Sequence, residues 1–375
     1  MTEELAMIKK NVVEENKNLL PELDFCASDK FAKFLIFKLN WTPLRTALTS
    51  YVLAMLSSLI IAALGGRLFP SPDYTGLLVD YFYFLTELLV PLVWGYYLWI
   101  YKAPYDVFSK LTQSNIIRLK HADAADATTI LRNVLPTRAS LGLSLVVGGL
   151  YFYQGAKSSP VWFNSDSLTL GFRSFAIIAP AAFAAWSISF RLIVNAQVFK
   201  RILKEVDLHP LHPDNAGGLR PLGQYALRTT YLIAFGGSMA ALAEYVVYVV
   251  GESATAYFFH FAVLLYLILA PLSFFAPLWA AHDAMSRAKD RLLEHIARQF
   301  KDDFSAAFNE IKGSSKSLKD NIEKIEQLQK LHHLAVSFPV WPFDSLTLRR
   351  FFLTISSPIA TVVLSVLIDY LTRLI

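Results

Sequence analysis

Six polar side chains inside an apolar run near the end of the chain pose the first chemical question. Thr354, Ser357, Thr361, Ser365, Asp369 and Thr372 follow one another at spacings of three or four within the stretch Thr347 to Leu371. At about 100° per residue they share a stripe roughly 120° wide on one helix face, with Phe, Ile, Val and Leu opposite. The run is long enough to cross a bilayer at about 1.5 Å per residue. Lipid gives no reason for such a stripe, whereas water or a polar seam between helices does. The alternative is close interhelical packing, since small hydroxyl residues let helices approach and share hydrogen bonds. As a path for ions, the stripe would be lined by Thr354, Ser357, Thr361 and Ser365, and Asp369 would concentrate cations at its outer end.

Acids inside other apolar runs are the second feature. Glu87 and Glu244 lie within the second and fifth runs, and Asp80, Glu252 and Asp369 lie nearer the same membrane surface. An ionised carboxylate is costly in hydrocarbon, so Glu87 and Glu244 are expected to face protein or water. They would form a cation-attracting vestibule or a proton site, or else be protonated or paired with the hydroxyls of Tyr81, Tyr83, Tyr245 and Tyr248.

The third feature is HPLHPDNAGGL, His209 to Leu219. His209, His212 and Asp214 are metal-ligand types in a compact segment, and together with Asn215 they could bind a small ligand. The structural alternative is a helix stop, because proline cannot continue a helix, Asp and Asn make turns, and Gly217-Gly218 permits left-handed backbone. His282-Asp283, His121 with Asp123, and His332-His333 are further potential partners. No cofactor is expected, with a divalent metal at this loop as the alternative. Cys26 is the only cysteine, which excludes an intrachain disulfide and a Cys-based zinc or iron–sulfur site held by this chain alone. HExxH, GxSxG, Walker and GxGxxG signatures are absent, and nothing points to nucleic acid.

These groups are positioned by a chain of 375 residues that is 54% hydrophobic and only 17% charged, with mean hydropathy +0.40. That composition predicts an all-α polytopic membrane protein, with the lipid bilayer as its main partner. Residues 1–43 are charged, then alternate apolar and basic side chains in FAKFLIFKLNW, which predicts an interfacial helix. No signal peptide is expected there. Transmembrane helices 1–6 occupy residues 44–281, at about Leu44–Leu64, Leu77–Ile100, Leu141–Tyr153, Leu168–Val194, Tyr225–Val250 and Tyr257–Ala281. Polar connections at 101–138 and 196–224 interrupt them, the first with room for two short amphipathic helices. Residues 282–344 carry two facing apolar stripes joined at Gly313-Ser314-Ser315, which predicts a cytoplasmic helical hairpin ended by FPVWPF. Residues 345–375 hold the seventh span.

Lysine and arginine set the orientation. With the N-terminus in the cytoplasm and the C-terminus outside, the outer segments carry only Arg67, Lys157, Arg173 and Arg373 of 35 basic side chains. Reversing the chain would reverse that asymmetry.

The HPDNAGGL segment resembles one in uncharacterised bacterial polytopic membrane proteins, which implies a multi-pass protein of a bacterial inner membrane. The overall plan is similar to the insect-chemoreceptor type of seven-span ion channels. Those have a cytoplasmic N-terminus, an external C-terminus, helix extensions that build a tetrameric anchor, and a split last helix ending in a pore-lining part. The extension of the sixth span, the helix from Leu318 to Leu334 and the helix from Thr347 to Leu371 match that order, although the aromatic-and-glutamine pattern of that family's last helix is absent. The resemblance implies a homotetrameric channel for inorganic cations. On the residues, such a channel would be gated through its cytoplasmic loops, and Glu87 and Glu244 would tune occupancy or gating. A membrane-embedded metal-dependent enzyme or metal-handling protein using the 209–219 loop, and a proton-coupled transporter, are the alternatives.

Overall fold

The computed structural model describes the backbone of residues 23–114, 116–117, 121–157, 161–205, 208, 214, 216–250, 253–310, 315–343 and 345–374. Side chains are described for these except at 82, 205, 243–250, 253–263, 306–310, 315–322, 357 and 361–374. Every element of any length is helical. Helix α1 (Lys30–Lys33) runs into a π turn (Phe34–Lys38), and α2 (Pro43–Leu64) follows. Next come α3 (Tyr81–Glu87), α4 (Leu89–Gln113), α5 (His121–Arg132), α6 (Leu135–Gly155) and α7 (Ser167–Phe172). A π turn (Arg173–Ile178) joins α7 to α8 (Ala179–Ile202), and α9 (Arg220–Val250), α10 (Ser253–Glu310), α11 (Ser315–Ser337) and α12 (Ser345–Leu374) complete the chain.

Among the described residues, five helical stretches are long and apolar enough to cross a membrane: Pro43–Leu64, Tyr83–Gln113, His121–Gly155, Ser167–Ile202 and Leu264–Ser305. In two of them, α2 and α6, burial is inverted relative to a soluble protein. On α2 the buried residues are Thr46, Ala54, Ser58 and Ala62, while Leu44, Leu48, Leu56 and Ile60 are exposed. On α6 they are Ser140, Ser144, Gly148 and Gly155, while Leu141, Leu145, Val146 and Leu150 are exposed. Small residues inside and large apolar ones outside suit a bundle surrounded by lipid, where close backbone approach holds helices together. The chain is therefore a membrane-embedded helical protein.

Local chemistry sets the helix limits. Thr42 caps α2 by accepting from the Arg45 amide at 3.2 Å, Pro43 starts it, and Gly65-Gly66 ends it with Gly66 at φ 68°. The second span starts later than the sequence predicts, at the cap Asp80 rather than at Leu77, which lies in a 3-10 turn. It also runs on to Gln113, absorbing the first of the two short helices expected in 101–138. The second of those helices is α5. Proline disturbs two spans: Pro91 clashes with the carbonyl four residues back, that of Glu87, and the helix breaks at Leu88. Pro180 lacks the donor that residue 176 would meet, and the backbone widens into the π turn just before it.

The core forms where α8 and α9 each pack against α4 on one side and α10 on the other, with Phe108 stacked on Phe199 at 4.9 Å. Leu23, Phe25, Cys26, Ala32 and Leu35 are buried in the same cluster, so the N-terminal segment is part of the bundle as well as a surface helix. Loops segregate to two ends. At one, Arg67 pairs with Asp166, and a bridge joins Thr75 to Val161. At the other, Thr137 donates to the Ser28 carbonyl at 3.2 Å, Arg201 pairs with Asp126 at 2.5 Å, and Lys289 donates to the Val336 carbonyl at 2.6 Å. That segregation is what alternating spans require.

Helix α10 continues well past the apolar region to Glu310, and α11 packs back against it; the turn expected at Gly313-Ser314 lies outside the described residues. FPVWPF forms an aromatic joint between α11 and α12. His282 donates from Nδ1 to the Val340 carbonyl at 2.9 Å, and its ring stacks on Trp341 at 4.2 Å between centroids. Helix α12 meets α9 and α10 through Leu348, Phe351, Ile355 and Pro358, with Phe351 stacked on Phe274 at 4.1 Å. The Tyr266 hydroxyl donates to the Ile355 carbonyl at 2.8 Å.

Candidate functional site

Ionisable groups inside the bundle gather in two clusters, both held by interruptions of helix geometry or by the N-terminal segment. The first is Glu87 with Arg173. Glu87 is 1% exposed and Arg173 5%. Both guanidinium Nη atoms face Glu87 Oε2, at 3.4 and 3.5 Å, and Nε donates to the Tyr151 hydroxyl at 3.0 Å. The guanidinium carbon lies 4.8 Å from the ring centroids of Tyr83 and Phe163 and 5.8 Å from that of Trp162. Negative ring faces and one carboxylate together compensate a cation far from water. Glu87 Oε1 and Trp162 Nε1 are buried without a hydrogen-bond partner. Glu87 sits at the α3–α4 break and Arg173 opens the π turn, so two prolines aim the pair.

The second cluster lies at the other end. Asp29 Oδ1 caps α1 by accepting the Phe31 and Ala32 amides, and Oδ2 accepts from the Tyr97 and Tyr101 hydroxyls, each at 2.7 Å. Arg191, 3% exposed, lies with its guanidinium carbon 4.6 Å from the Tyr101 ring centroid and donates from Nη1 to Ser28 at 3.4 Å. Four residues on, Asn195 donates to the Ile100 carbonyl and the Tyr225 hydroxyl, both at 3.2 Å. Ser187 Oγ, Arg191 Nε and Nη2, and Asn195 Oδ1 are buried without partners, so α8 carries a polar line at positions i, i+4 and i+8. Burial raises the neighbouring Cys26 thiol to about 12. Near the opposite end, slight burial would raise Asp166, but the Thr169 amide and Arg67 outweigh it and hold the carboxyl below its ordinary value.

Of the residues singled out from sequence, Glu87 is buried as expected, and its partner is a guanidinium rather than a tyrosine hydroxyl. Asp80 caps α3 through the Tyr83 amide at 2.9 Å. Thr354 is half-buried and donates to the Arg350 carbonyl of its own helix at 2.7 Å. Ser357, Thr361, Ser365 and Asp369 belong to α12 and Glu244 to α9, but their side chains lie outside the described residues, as do His209, His212 and Asn215 entirely. Asp214 Oδ1 accepts the Ala216 and Gly218 amides at 3.0 and 2.9 Å, and Gly217 and Gly218 take φ 59° and 85°, which is the turn geometry of a helix stop. Asp123 and Asp126 face Arg201. Among the described residues no three His, Cys, Asp or Glu side chains converge on a common point.

Sequence reasoning missed Arg173, Arg191, Asp29 and Asn195. The signal was present for two of them: Arg173 and Arg191 fall inside the fourth apolar run, where a charge needs a partner, and Asn195 directly follows it.

Fold and interior thus define a membrane-embedded helical protein with a buried ion pair at one end and a buried polar line on α8 at the other. No known protein family, curated protein or solved structure matches this chain, so its activity is argued from its own chemistry.

Proposed function

We propose that the chain is a subunit of an oligomeric cation-permeable channel of the bacterial inner membrane, with seven spans, a cytoplasmic N-terminus, an external C-terminus and α12 lining the path. The observation that carries this is the polar stripe on α12; among the described residues that helix meets its own subunit through the Leu348–Phe351–Ile355–Pro358 face. The described interior of the subunit offers no competing route: its charges are paired or capped by rings, and the rest is close-packed aromatic and aliphatic side chains. A path for ions is therefore better placed between subunits, where stripes from several α12 helices would face one another. A tetramer, with the α10–α11 hairpin as the assembly element, agrees with the resemblance in element order. Movement of the aromatic joint at His282 and Trp341 would couple the hairpin to α12.

The test is ion flux into liposomes holding the purified protein. Thr361→Leu should reduce flux at unchanged oligomer size, because it replaces a hydroxyl in the stripe by a larger apolar group. Flux equal to the parent would remove α12 from the path, and no flux under any gradient would remove the channel. Should flux be absent, elemental analysis before and after His212→Ala tests the metal-binding alternative at the 209–219 loop.

A further inference from the structure

A groove of about 270 Å³ lies between α8 and α10. Leu192, Ile193 and Ala196 form one wall, and Leu272, Ala276 and Pro277 the other. The small side chains of Ala196, Ala276 and Ala280 leave the space between the two helices unfilled at this level, with Pro277 of α10 beside them. Both helices lie in stretches apolar enough to cross a membrane, so the groove opens to lipid. From Leu192 to Lys200 it extends eight residues, about 12 Å of helix, close to the thickness of one hydrocarbon leaflet, about 15 Å.

Its chemistry changes along that length. The Leu192–Leu272 end is apolar apart from Ser273, whose hydroxyl is turned to the Ala270 carbonyl of its own helix at 2.8 Å. The other end holds Gln197, Lys200 and Trp279, a residue that is 58% exposed. Indoles and lysines concentrate where hydrocarbon meets headgroups, which places this end at the membrane surface. Among the lining residues Lys200 is the one formal charge, and it is exposed. Arg287, just beyond, donates to the Lys204 carbonyl at 3.1 Å and fixes the end of α8 against α10. Tyr225 closes the groove floor, and its hydroxyl accepts from Asn195.

We propose that this groove binds an anionic phospholipid, one acyl chain lying along Ala196 and Ala276 and the phosphate meeting Lys200. The apolar slot alone would take any lipid; the single cation at its surface end selects a negative headgroup. An occupant presses on Tyr225, so it would brace the polar line of Asn195 and Arg191 behind that ring.

Native mass spectrometry of the detergent-purified full chain tests this without reference to flux. Phosphatidylglycerol and phosphatidylcholine with identical acyl chains are titrated against the parent, Lys200→Gln and Ala276→Trp. The parent should retain phosphatidylglycerol about five-fold better, and Lys200→Gln should erase that preference while still binding both. Ala276→Trp should abolish retention of both; Ala196→Leu, a milder filling, covers the case in which tryptophan prevents folding. Equal retention of the two lipids by the parent would overturn the proposal, as would undiminished retention by both filled variants. A change of oligomer size in those variants, with lipid retention unaffected, would assign the groove to a contact between copies instead.

Discussion

The Glu87–Arg173 pair should behave as a unit. Taking either partner away leaves an uncompensated charge in the bundle, a loss of roughly 3 to 5 kcal/mol, whereas removing both leaves only a packing defect. Arg173→Leu or Glu87→Leu alone is therefore expected to lower the unfolding midpoint in detergent much more than the double variant does. A double variant as unstable as the sum of the singles would show that the two groups are not coupled. Cys26 gives a second residue-scale outcome. Its thiol is raised from 9.0 to about 12 by burial, so the folded protein keeps it protonated where an unfolded chain begins to lose the proton. The stabilisation tied to it is complete below about pH 9 and declines as pH climbs from there towards 12. At pH 8.5 a maleimide should label it only after denaturation; ready labelling of the native protein would contradict its burial. Asp166 works the other way. With its carboxyl held low, its contribution is present above the ordinary aspartate range and fades as pH falls below about 4. Partial exposure and salt keep that contribution small.

At the scale of elements, the joint between hairpin and last helix rests on a backbone contact. A Cβ on Gly223 of α9 would stand 2.4 Å from the Pro342 carbonyl oxygen. In an exposed helix Gly→Ala gains up to about 1 kcal/mol; here the added methyl should force the joint away and cost about 1 to 3 kcal/mol. A melting temperature that rises in Gly223→Ala would mean that the 338–343 segment does not pack on α9. Such a contact explains what could be read from sequence and what could not. Stops are local, so the span expected at about Leu44–Leu64, ahead of Gly65-Gly66, lies within a residue of α2. The apolar periodicity of the last sixty residues likewise announced α11 and α12. Pro91 was visible, but that it would break the helix at Leu88 and so aim Glu87 depended on what lay opposite. Arg173 is 86 positions away from Glu87 in sequence, and no spacing rule connects them. Nor did composition say that charged residues near the N-terminus would include Asp29, a buried acceptor for two tyrosines. Those relations arise only once helices are packed.

For the whole molecule, the decisive property is how many times the chain crosses and in which direction. The two ends differ in charge, and every described loop contact joins segments assigned to the same end: Arg67 with Asp166 at one, Ser28 with Thr137 and Phe338 with Lys289 at the other. Five stretches suffice by length and hydropathy, and α9 and α12, of 31 and 30 residues, would add the remaining two crossings. Because Cys26 is the sole cysteine, Cys26→Ser gives a clean background for single reporters. Asp73→Cys and Arg373→Cys should react with a membrane-impermeant maleimide in intact spheroplasts, and Lys301→Cys only after permeabilisation. Reaction of Lys301→Cys alone would invert the protein and place the basic end outside, against the cost of moving that charge across. Reaction of Asp73→Cys but not Arg373→Cys would leave α12 short of a full crossing, and a stripe on a helix that does not cross cannot line a path. In the expected arrangement Asp369 stands near the outer mouth. Asp369→Asn should then lower cation conductance more at low than at high ionic strength, since salt shortens the reach of that charge from about 30 Å at 0.01 M to about 8 Å at 0.15 M. A conductance ratio that stays constant across salt would put the carboxylate away from the mouth and leave the stripe's hydroxyls to account for permeation alone.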